Sequence, residues 1–264
     1  MPTVGCRRQR GSTRQRGSRI HGSAVPLAAL LLVACGTAAE PVASASPTGS
    51  ASPEPSPIVT PDPGLRRVRY VALGDSFTIG TSVAPTERWP EQLAARLPEL
   101  ELVANLGVNG FTSADVIEVE LPQLPPLRPE LVTLLIGVND VVQYVPEPVY
   151  RGNVADILDE LVRRVGADRV LVVTTPDYTV TPAGADYGDP ATQAAAIRRN
   201  NAINTELATA RGIAVIDIYD ISLRAATDRS LVADDGLHPS GAQYALWVER
   251  IAPAVSSLLA TREP

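Results

Sequence analysis

"VALGDSFTIG", Val71–Gly80, is the stretch that decides how the folded part of this chain is organised. An apolar run stops at Gly74, and an acid and a hydroxyl, Asp75 and Ser76, follow it. This pattern predicts a buried strand that passes through a turn into a helix. Two interpretations of the turn are open. Asp75 or Ser76 caps the helix by accepting a backbone N–H bond, or Ser76 is a nucleophile held at the strand end.

Apolar runs rich in branched residues recur along the chain, and segments with helical spacing separate them. The runs are "RVRYVAL" (67–73), "ELVANL" (101–106), "ELVTLLI" (130–136), "RVLVVTT" (169–175) and "IAVIDI" (213–218). Strands that are apolar on both faces and alternate with helices predict a parallel sheet covered on both sides. We therefore expect an α/β fold over residues 66–264, a three-layer α/β/α sandwich with a five-stranded parallel sheet.

Polar and glycine-containing motifs follow the predicted strands. They are "GDSFT" (74–78) after the first strand, "NLGVNG" (105–110) after the second, "IGVND" (136–140) after the third, and "DDGLHPSG" (234–241) before the last helix. Because ligands of such sheets bind at the carboxyl ends of the strands, we expect these motifs at one edge. Each motif alone also has an ordinary interpretation as a turn or a helix cap.

Together the motifs supply the groups that acyl transfer requires. A serine hydroxyl needs a base to take its proton, the base needs an acid to fix its tautomer, and the oxyanion needs hydrogen-bond donors. The chain offers the Ser76 hydroxyl, the Asn139 amide and the His238 imidazole, with Asp235 three residues before His238.

These motifs resemble those of the SGNH hydrolases, also called the GDSL esterase and lipase family, over roughly residues 70–259. The residues that name the family match Ser76, Gly107, Asn139 and His238, and Phe77 stands where GDSL has leucine. The resemblance implies a flavodoxin-like sandwich.

The resemblance also implies a role for each matched residue. Ser76 is expected to attack the ester, His238 to act as base and then acid, and Asp235 to orient His238. The backbone N–H groups of Ser76 and Gly107, with the side-chain amide of Asn139, are expected to form the oxyanion hole. The neighbouring acids Asp75, Asp140 and Asp234 are expected to be structural.

Two other kinds of enzyme site are disfavoured by the residues present. The nucleophile elbow of α/β-hydrolases has the pattern GxSxG, and here Thr78 stands at the fifth position. A metal site requires several His or Cys ligands, and the whole chain has only two of each. We expect neither a metal nor another cofactor.

The N-terminal residues 1–34 are expected to be a bacterial lipoprotein signal peptide. Six arginines and no acid precede the eleven-residue apolar run "AVPLAALLLVA" (24–34), which is too short to span a membrane. "LVAC" (32–35) resembles a lipobox, which implies lipidation of Cys35. The alternative is an ordinary secretory signal followed by an incidental cysteine.

Residues 35–65 are rich in Pro, Ser and Ala and have no apolar periodicity, so we expect a disordered tether. A lipid anchor would place the protein at the outer face of the cytoplasmic membrane, in the cell envelope. Removal of residues 1–34 takes away six arginines and shifts the formal net charge from −6 to about −12. Nucleic acid is therefore not an expected partner.

The expected function is that of an extracytoplasmic serine esterase that acts through an acyl-enzyme. Its substrate would be a small ester, such as an acetyl or short-chain ester, or an acylated polysaccharide or lipid. Two loops could shape the pocket, residues 176–190 with Tyr178 and Tyr187, and residues 78–90. The alternatives are a lipase or lysophospholipase, and a non-catalytic lipid-anchored binding protein. Oligomeric state is left open.

Overall fold

A single all-parallel sheet runs through residues 66–260, the part of the chain that the computed structural model describes. Its strand order is β2-β1-β3-β4-β5. The strands are β1 Val68–Gly74, β2 Leu100–Asn105, β3 Leu131–Leu135, β4 Val170–Val173 and β5 Ala214–Ile216. The predicted five-stranded parallel sheet is confirmed, and its strand bounds differ from the predicted ones by two residues at most.

Helices cover both faces of the sheet and complete the predicted three-layer sandwich. They are α1 Ser76–Ile79, α2 Trp89–Arg96, α3 Ser113–Asp115, α4 Leu124–Leu127, α5 Val138–Val142, α6 Glu147–Val165, α7 Pro190–Thr209, α8 Tyr219–Leu223 and α9 Gly241–Ala260. Helices α2 and α9 contribute to the hydrophobic core on one face of the sheet, and α6 contributes to the core on the other.

Strand β1 shows why the apolar runs are uninterrupted. Tyr70 and Ala72 belong to the core on one face, and Val71 and Leu73 belong to the core on the other; none of the four is exposed to solvent. A strand buried on both faces has no polar side to alternate with. The polar atom that β1 does bury, the Tyr70 hydroxyl, lies 2.8 Å from the Thr133 hydroxyl of β3.

The strand order places the ends of β1 and β3 beside each other. The chain leaves β1 for β2 on one side and then returns to β3 on the other side, so the order reverses between these two strands. Gly74 of β1 pairs with Leu135 of β3, so both strands end at the same level. A crevice at such a reversal is where open α/β sheets bind their ligands.

The predictions for residues 1–65, including the signal peptide, lipidation at Cys35 and the tether, lie outside the described residues. Between residues 66 and 260, none of the helices combines the length and the apolar character needed to cross a membrane.

Candidate active site

The turn after β1 combines both interpretations of its sequence. Asp75 has an extended backbone and is the N-cap of α1; its Oδ1 accepts the Phe77 N–H at 2.9 Å. Ser76 is the first residue of α1 and is 7% exposed. The acid therefore caps the helix, and the serine beside it reaches a cavity at the edge of the sheet.

Gly74 allows β1 to end this close to β3. Its φ of +150° is a conformation that other residues rarely adopt. A Cβ atom at this position would lie 2.2 Å from the Leu135 carbonyl oxygen and 2.4 Å from Thr78 Oγ1. The position of Ser76 therefore depends on the absence of a side chain two residues before it.

Three side chains form a hydrogen-bonded chain that includes two residues of the cavity lining, Ser76 and His238. Ser76 Oγ lies 2.9 Å from His238 Nε2, and His238 Nδ1 lies 2.6 Å from Asp235 Oδ2. Asp235 and His238 are on the loop before α9, and the Phe77 ring packs 5.1 Å from the imidazole. The structure thus brings together Ser76, Asp235 and His238, as the sequence predicts.

Both carboxylate oxygens of Asp235 accept hydrogen bonds. Oδ1 accepts the backbone N–H groups of Leu237 at 2.8 Å and His238 at 2.9 Å, and Oδ2 accepts the Ser82 hydroxyl at 2.7 Å. Partial burial alone would raise the pKa of Asp235, but the bonds from Ser82, His238 and Leu237 outweigh burial and lower the pKa to about 2. Asp235 is therefore a carboxylate at neutral pH.

Beside this chain, the polar wall of the cavity carries hydrogen-bond donors. The cavity has a volume of about 250 Å³. Its polar lining residues are Ser76, Asn109, Gly110, Asn139 and His238. One N–H of the Asn139 amide donates to the Phe111 carbonyl at 2.9 Å. Within residues 66–260, the other N–H of Asn139 and the backbone N–H groups of Ser76 and Gly110 make no hydrogen bond.

The structure corrects the placement of Gly107. Its N–H donates to Asn105 Oδ1 at 3.2 Å, and the residue does not line the cavity. A Cβ atom at Gly107 would lie 2.8 Å from the Asp75 carbonyl oxygen, so glycine is required here for packing beneath α1. Gly110, with a φ of +82°, is the glycine of "NLGVNG" that lines the cavity. The motif contains both glycines, and spacing alone does not distinguish them.

The remaining wall of the cavity is apolar and aromatic. It consists of Phe77, Val138, Val142, Tyr178, Tyr187 and Leu237. The Tyr178 and Tyr187 rings meet edge to face at 5.8 Å, and the Tyr178 hydroxyl donates to Gln193 Oε1 at 2.7 Å. The prediction that loop 176–190 shapes the pocket is confirmed by these contacts.

Charged groups and metal ligands are sparse around the cavity. Apart from His238, the lining contributed by residues 66–260 contains no acid and no arginine. In the same part of the chain, no cluster of three or more His, Cys, Asp or Glu residues is arranged to hold a metal ion.

Buried acids lie behind the nucleophile turn. Asp140 accepts hydrogen bonds from the backbone N–H and the hydroxyl of Ser113. Glu120 accepts the Gly74 N–H at 3.0 Å, while its other oxygen and Asp75 Oδ2 have no partner in the described residues. Burial raises the pKa of Asp75 to about 7, and burial together with the nearby Asp75 raises the pKa of Glu120 to about 9. Asp75 and Asp140 thus have structural contacts, as expected, whereas no sequence pattern pointed to Glu120.

An α/β/α sandwich with a serine, an imidazole and a carboxylate in line at the strand ends has the architecture of a serine hydrolase. The sequence model of the GDSL-like Lipase/Acylhydrolase family matches residues 72–246, which is more than half of the chain. The protein belongs to this family, the SGNH hydrolases, whose activities are of the esterase and lipase type. The comparison with curated proteins found no match.

Solved structures with the same fold include three informative relatives. A G-D-S-L family protein from Desulfitobacterium hafniense DCB-2 is 19% identical, with a TM-score of 0.59, covering 71% of this chain and 99% of its own. The esterase EstA from Pseudoalteromonas sp. is 16% identical, with a TM-score of 0.56, covering 72% and 98%. The acetylxylan esterase Axe2 from Geobacillus stearothermophilus is 17% identical, with a TM-score of 0.54, covering 71% and 94%. These similarities support the fold assignment.

The buried Glu120 predicts a loss of stability as the pH rises. Between the ordinary pKa of 4.5 and the raised value of about 9, the folded state holds a proton that the unfolded state has released, so stability falls across this range. Glu120→Gln cannot ionise and keeps an acceptor for the Gly74 N–H. Urea unfolding at pH 5, 7 and 9 measures the free energy of unfolding. From pH 5 to pH 9, Glu120→Gln should lose less of this free energy than the wild type, by at least about 1 kcal/mol.

Glu118→Gln is the matched control, because Glu118 is exposed on the same helical segment. It should keep the wild-type dependence on pH. Equal pH dependence in Glu120→Gln and the wild type would show that Glu120 is ionised in the folded protein.

Proposed function

We propose that this protein is a serine carboxylic ester hydrolase that acts through an acyl-enzyme on Ser76. The observation that carries the proposal is the hydrogen-bonded chain from Ser76 Oγ through His238 to Asp235, with steps of 2.9 and 2.6 Å. Ser76 and His238 line a cavity whose N–H donors have no other partner in the described residues. Such an arrangement meets the needs of acyl transfer.

In the acylation step, His238 Nε2 takes the hydroxyl proton of Ser76 while Oγ attacks the ester carbonyl carbon. The imidazolium that forms is stabilised by the ionised Asp235, which also keeps the Nδ1 proton in place. The carbonyl oxygen becomes an oxyanion that accepts N–H bonds from Ser76, Gly110 and Asn139. Collapse of this intermediate breaks the ester C–O bond, and His238 gives its proton to the leaving alcohol oxygen.

In the deacylation step, water takes the place of the alcohol. His238 Nε2 removes a proton from the water as its oxygen attacks the acyl carbon, and the same donors bind the second oxyanion. Cleavage of the bond to Ser76 Oγ releases the acid, and the proton on His238 returns to Ser76.

The cavity favours short, uncharged acyl groups. Its volume of about 250 Å³ lies just below the roughly 300–1,000 Å³ range of drug-sized ligand pockets. Tyr178 and Tyr187 form part of its apolar wall, and no arginine from residues 66–260 lines it to bind a phosphate. The names of two fold relatives, an acetylxylan esterase and an esterase, agree with an ester of this kind. A lysophospholipid is a poorer match to such a lining.

A non-catalytic binding protein is the second interpretation of the scaffold. The complete Ser76–His238–Asp235 chain counts against it, because a binding site has no need of a serine activated by an imidazole.

Kinetics with p-nitrophenyl acetate test the assignment of the reacting groups. Ser76→Ala removes the nucleophile and should abolish nearly all turnover. Asn139→Ala should lower kcat by roughly 10² to 10³, the effect of losing one oxyanion donor. EDTA should leave wild-type turnover unchanged.

Asn153→Ala is the matched control for Asn139→Ala, because the Asn153 side-chain amide also donates a hydrogen bond but lies outside the cavity. It should keep kcat within about twofold of the wild type. Full turnover in a folded Ser76→Ala variant would contradict the proposal, and absence of turnover in the folded wild type would favour the binding interpretation.

A series of acetate, butyrate and octanoate esters tests the size of the acyl pocket. The wild type should have its highest kcat/KM on acetate or butyrate, because Tyr187 forms part of the apolar wall and limits the room for a longer acyl chain. Tyr187→Ala should raise kcat/KM on octanoate relative to acetate by roughly tenfold. Tyr144→Ala removes an exposed tyrosine that does not line this cavity and should leave the ratio unchanged. A wild-type preference for octanoate would contradict the short-chain assignment.

We further propose that the protein is anchored to the outer face of the cytoplasmic membrane through Cys35. The support is sequence alone: an arginine-rich segment, a short apolar run and "LVAC" at residues 32–35. A tether of about thirty residues would let the domain reach on the order of 90 Å if extended. The acyl esters of envelope polymers are then substrates within reach.

Fatty-acid labelling in a bacterial host tests the anchor. Cys35→Ser should lose the label and move from the membrane to the soluble fraction, whereas Cys6→Ser, which changes the other cysteine, should keep both properties. Wild-type labelling of Cys35→Ser would contradict the assignment.

A further inference from the structure

We propose that Ser82 is a positioning residue for the reaction, an inference that rests on the proposed function. The Ser82 hydroxyl donates to Asp235 Oδ2 at 2.7 Å. The same oxygen is 2.6 Å from His238 Nδ1. The hydrogen-bonded chain therefore has a fourth member, which stands behind the acid and does not touch the cavity.

The backbone of Ser82 supports a role for its hydroxyl. Its φ is +66°, in the left-handed region that glycine occupies without strain and that other residues occupy rarely. Glycine would satisfy a turn that served only to redirect the chain. The structure instead has a strained serine, and strained residues of this kind cluster at functional sites.

The turn that carries Ser82 is tied directly to the nucleophile. Gly80 is the C-cap of α1, and its N–H donates to the Ser76 carbonyl at 3.0 Å. Helix α1 therefore begins with the nucleophile, and its C-cap lies two residues before the serine whose hydroxyl binds Asp235. The Ser82 bond closes a ring that runs from Ser76 through His238 and Asp235 and back along α1.

The Ser82 bond completes the support of the carboxylate. The backbone N–H groups of Leu237 and His238 donate to Oδ1, and Oδ2 is bonded by the Ser82 hydroxyl as well as by His238 Nδ1. With both oxygens fixed, the carboxylate plane is set, and the direction of the imidazole is set with it. The donor also disperses part of the negative charge that Asp235 presents to His238.

Loss of this donor should act on the chemical step and on the ionisation of His238. Asp235 without Ser82 presents more charge to the imidazolium, so His238 should hold its proton to higher pH. Titratable groups near Asp235 and His238 include Asp234 on the loop, Glu87 beside Gly241 and Tyr244 of α9, which interacts with Asp235. Tyr178 and Tyr187 line the cavity together with His238. The Ser82 variants keep all of these residues.

Ser82→Ala and Ser82→Gly together separate the hydroxyl from the backbone strain. Both variants lack the hydroxyl, while glycine also relieves the left-handed backbone. Each should lower kcat on p-nitrophenyl acetate by about tenfold, the effect of one lost bond to a charged group, with KM unchanged. The pH at half-maximal kcat/KM should rise in both. A wild-type kcat and pH profile in Ser82→Gly would overturn the proposal.

Ser230→Ala is the matched control, because the Ser230 hydroxyl donates to the exposed carboxylate of Asp228 at 2.6 Å, outside the cavity. It should match the wild type in kcat and pH profile. A loss in Ser230→Ala equal to that in the Ser82 variants would overturn a specific role for Ser82.

An NMR titration of the His238 imidazole tests the same claim without turnover. The full-length chain has two histidines, and a His21→Gln background leaves the His238 signal alone. The pH at which this signal changes should be higher in Ser82→Ala and Ser82→Gly than in the parent. An unchanged or lower value would overturn the proposal, even if no ester were hydrolysed. A shifted titration without wild-type turnover would refute only the proposed function.

Discussion

The close approach of β1 to β3 at Gly74 is the constraint on which the site depends. The two strands are neighbours in the sheet and end at the same level, and the carbonyl of Leu135 occupies the space that a side chain at Gly74 would need. Because β1 can end there, α1 starts at once, and Ser76 becomes its first residue. Helix α5, which follows β3, then places Asn139 at the same cavity.

The sequence predicted the sheet because each strand is buried on both faces, which leaves a run of apolar residues that is easy to recognise. It also predicted Ser76, Asn139, Asp235 and His238, since each lies in a motif near a strand end or before the last helix. The role of Gly107 could not be separated from that of Gly110, because the difference is the direction of one N–H group. Ser82 was missed because it lies outside the motifs that follow the strands, and its bond to Asp235 joins residues 153 positions apart.

Buried acids behind the nucleophile turn show a cost of building the site. Glu120 satisfies the N–H of Gly74, and Asp75 caps α1, yet each leaves one carboxyl oxygen without a partner in the described residues. Burial raises the pKa of both groups, which makes their charged forms unfavourable. The turn that presents Ser76 is therefore held by groups that a purely stability-driven core would avoid.

Covalent labelling with a p-nitrophenyl alkylphosphonate tests the central claim most directly, because an activated serine displaces p-nitrophenolate and forms a stable phosphonyl ester. Intact-mass measurement should show one adduct on the wild type, and peptide mapping should place it on Ser76. The adduct should be absent from Ser76→Ala and strongly slowed in His238→Ala. A folded wild-type protein that takes no label, or takes it on a residue other than Ser76, would contradict the account.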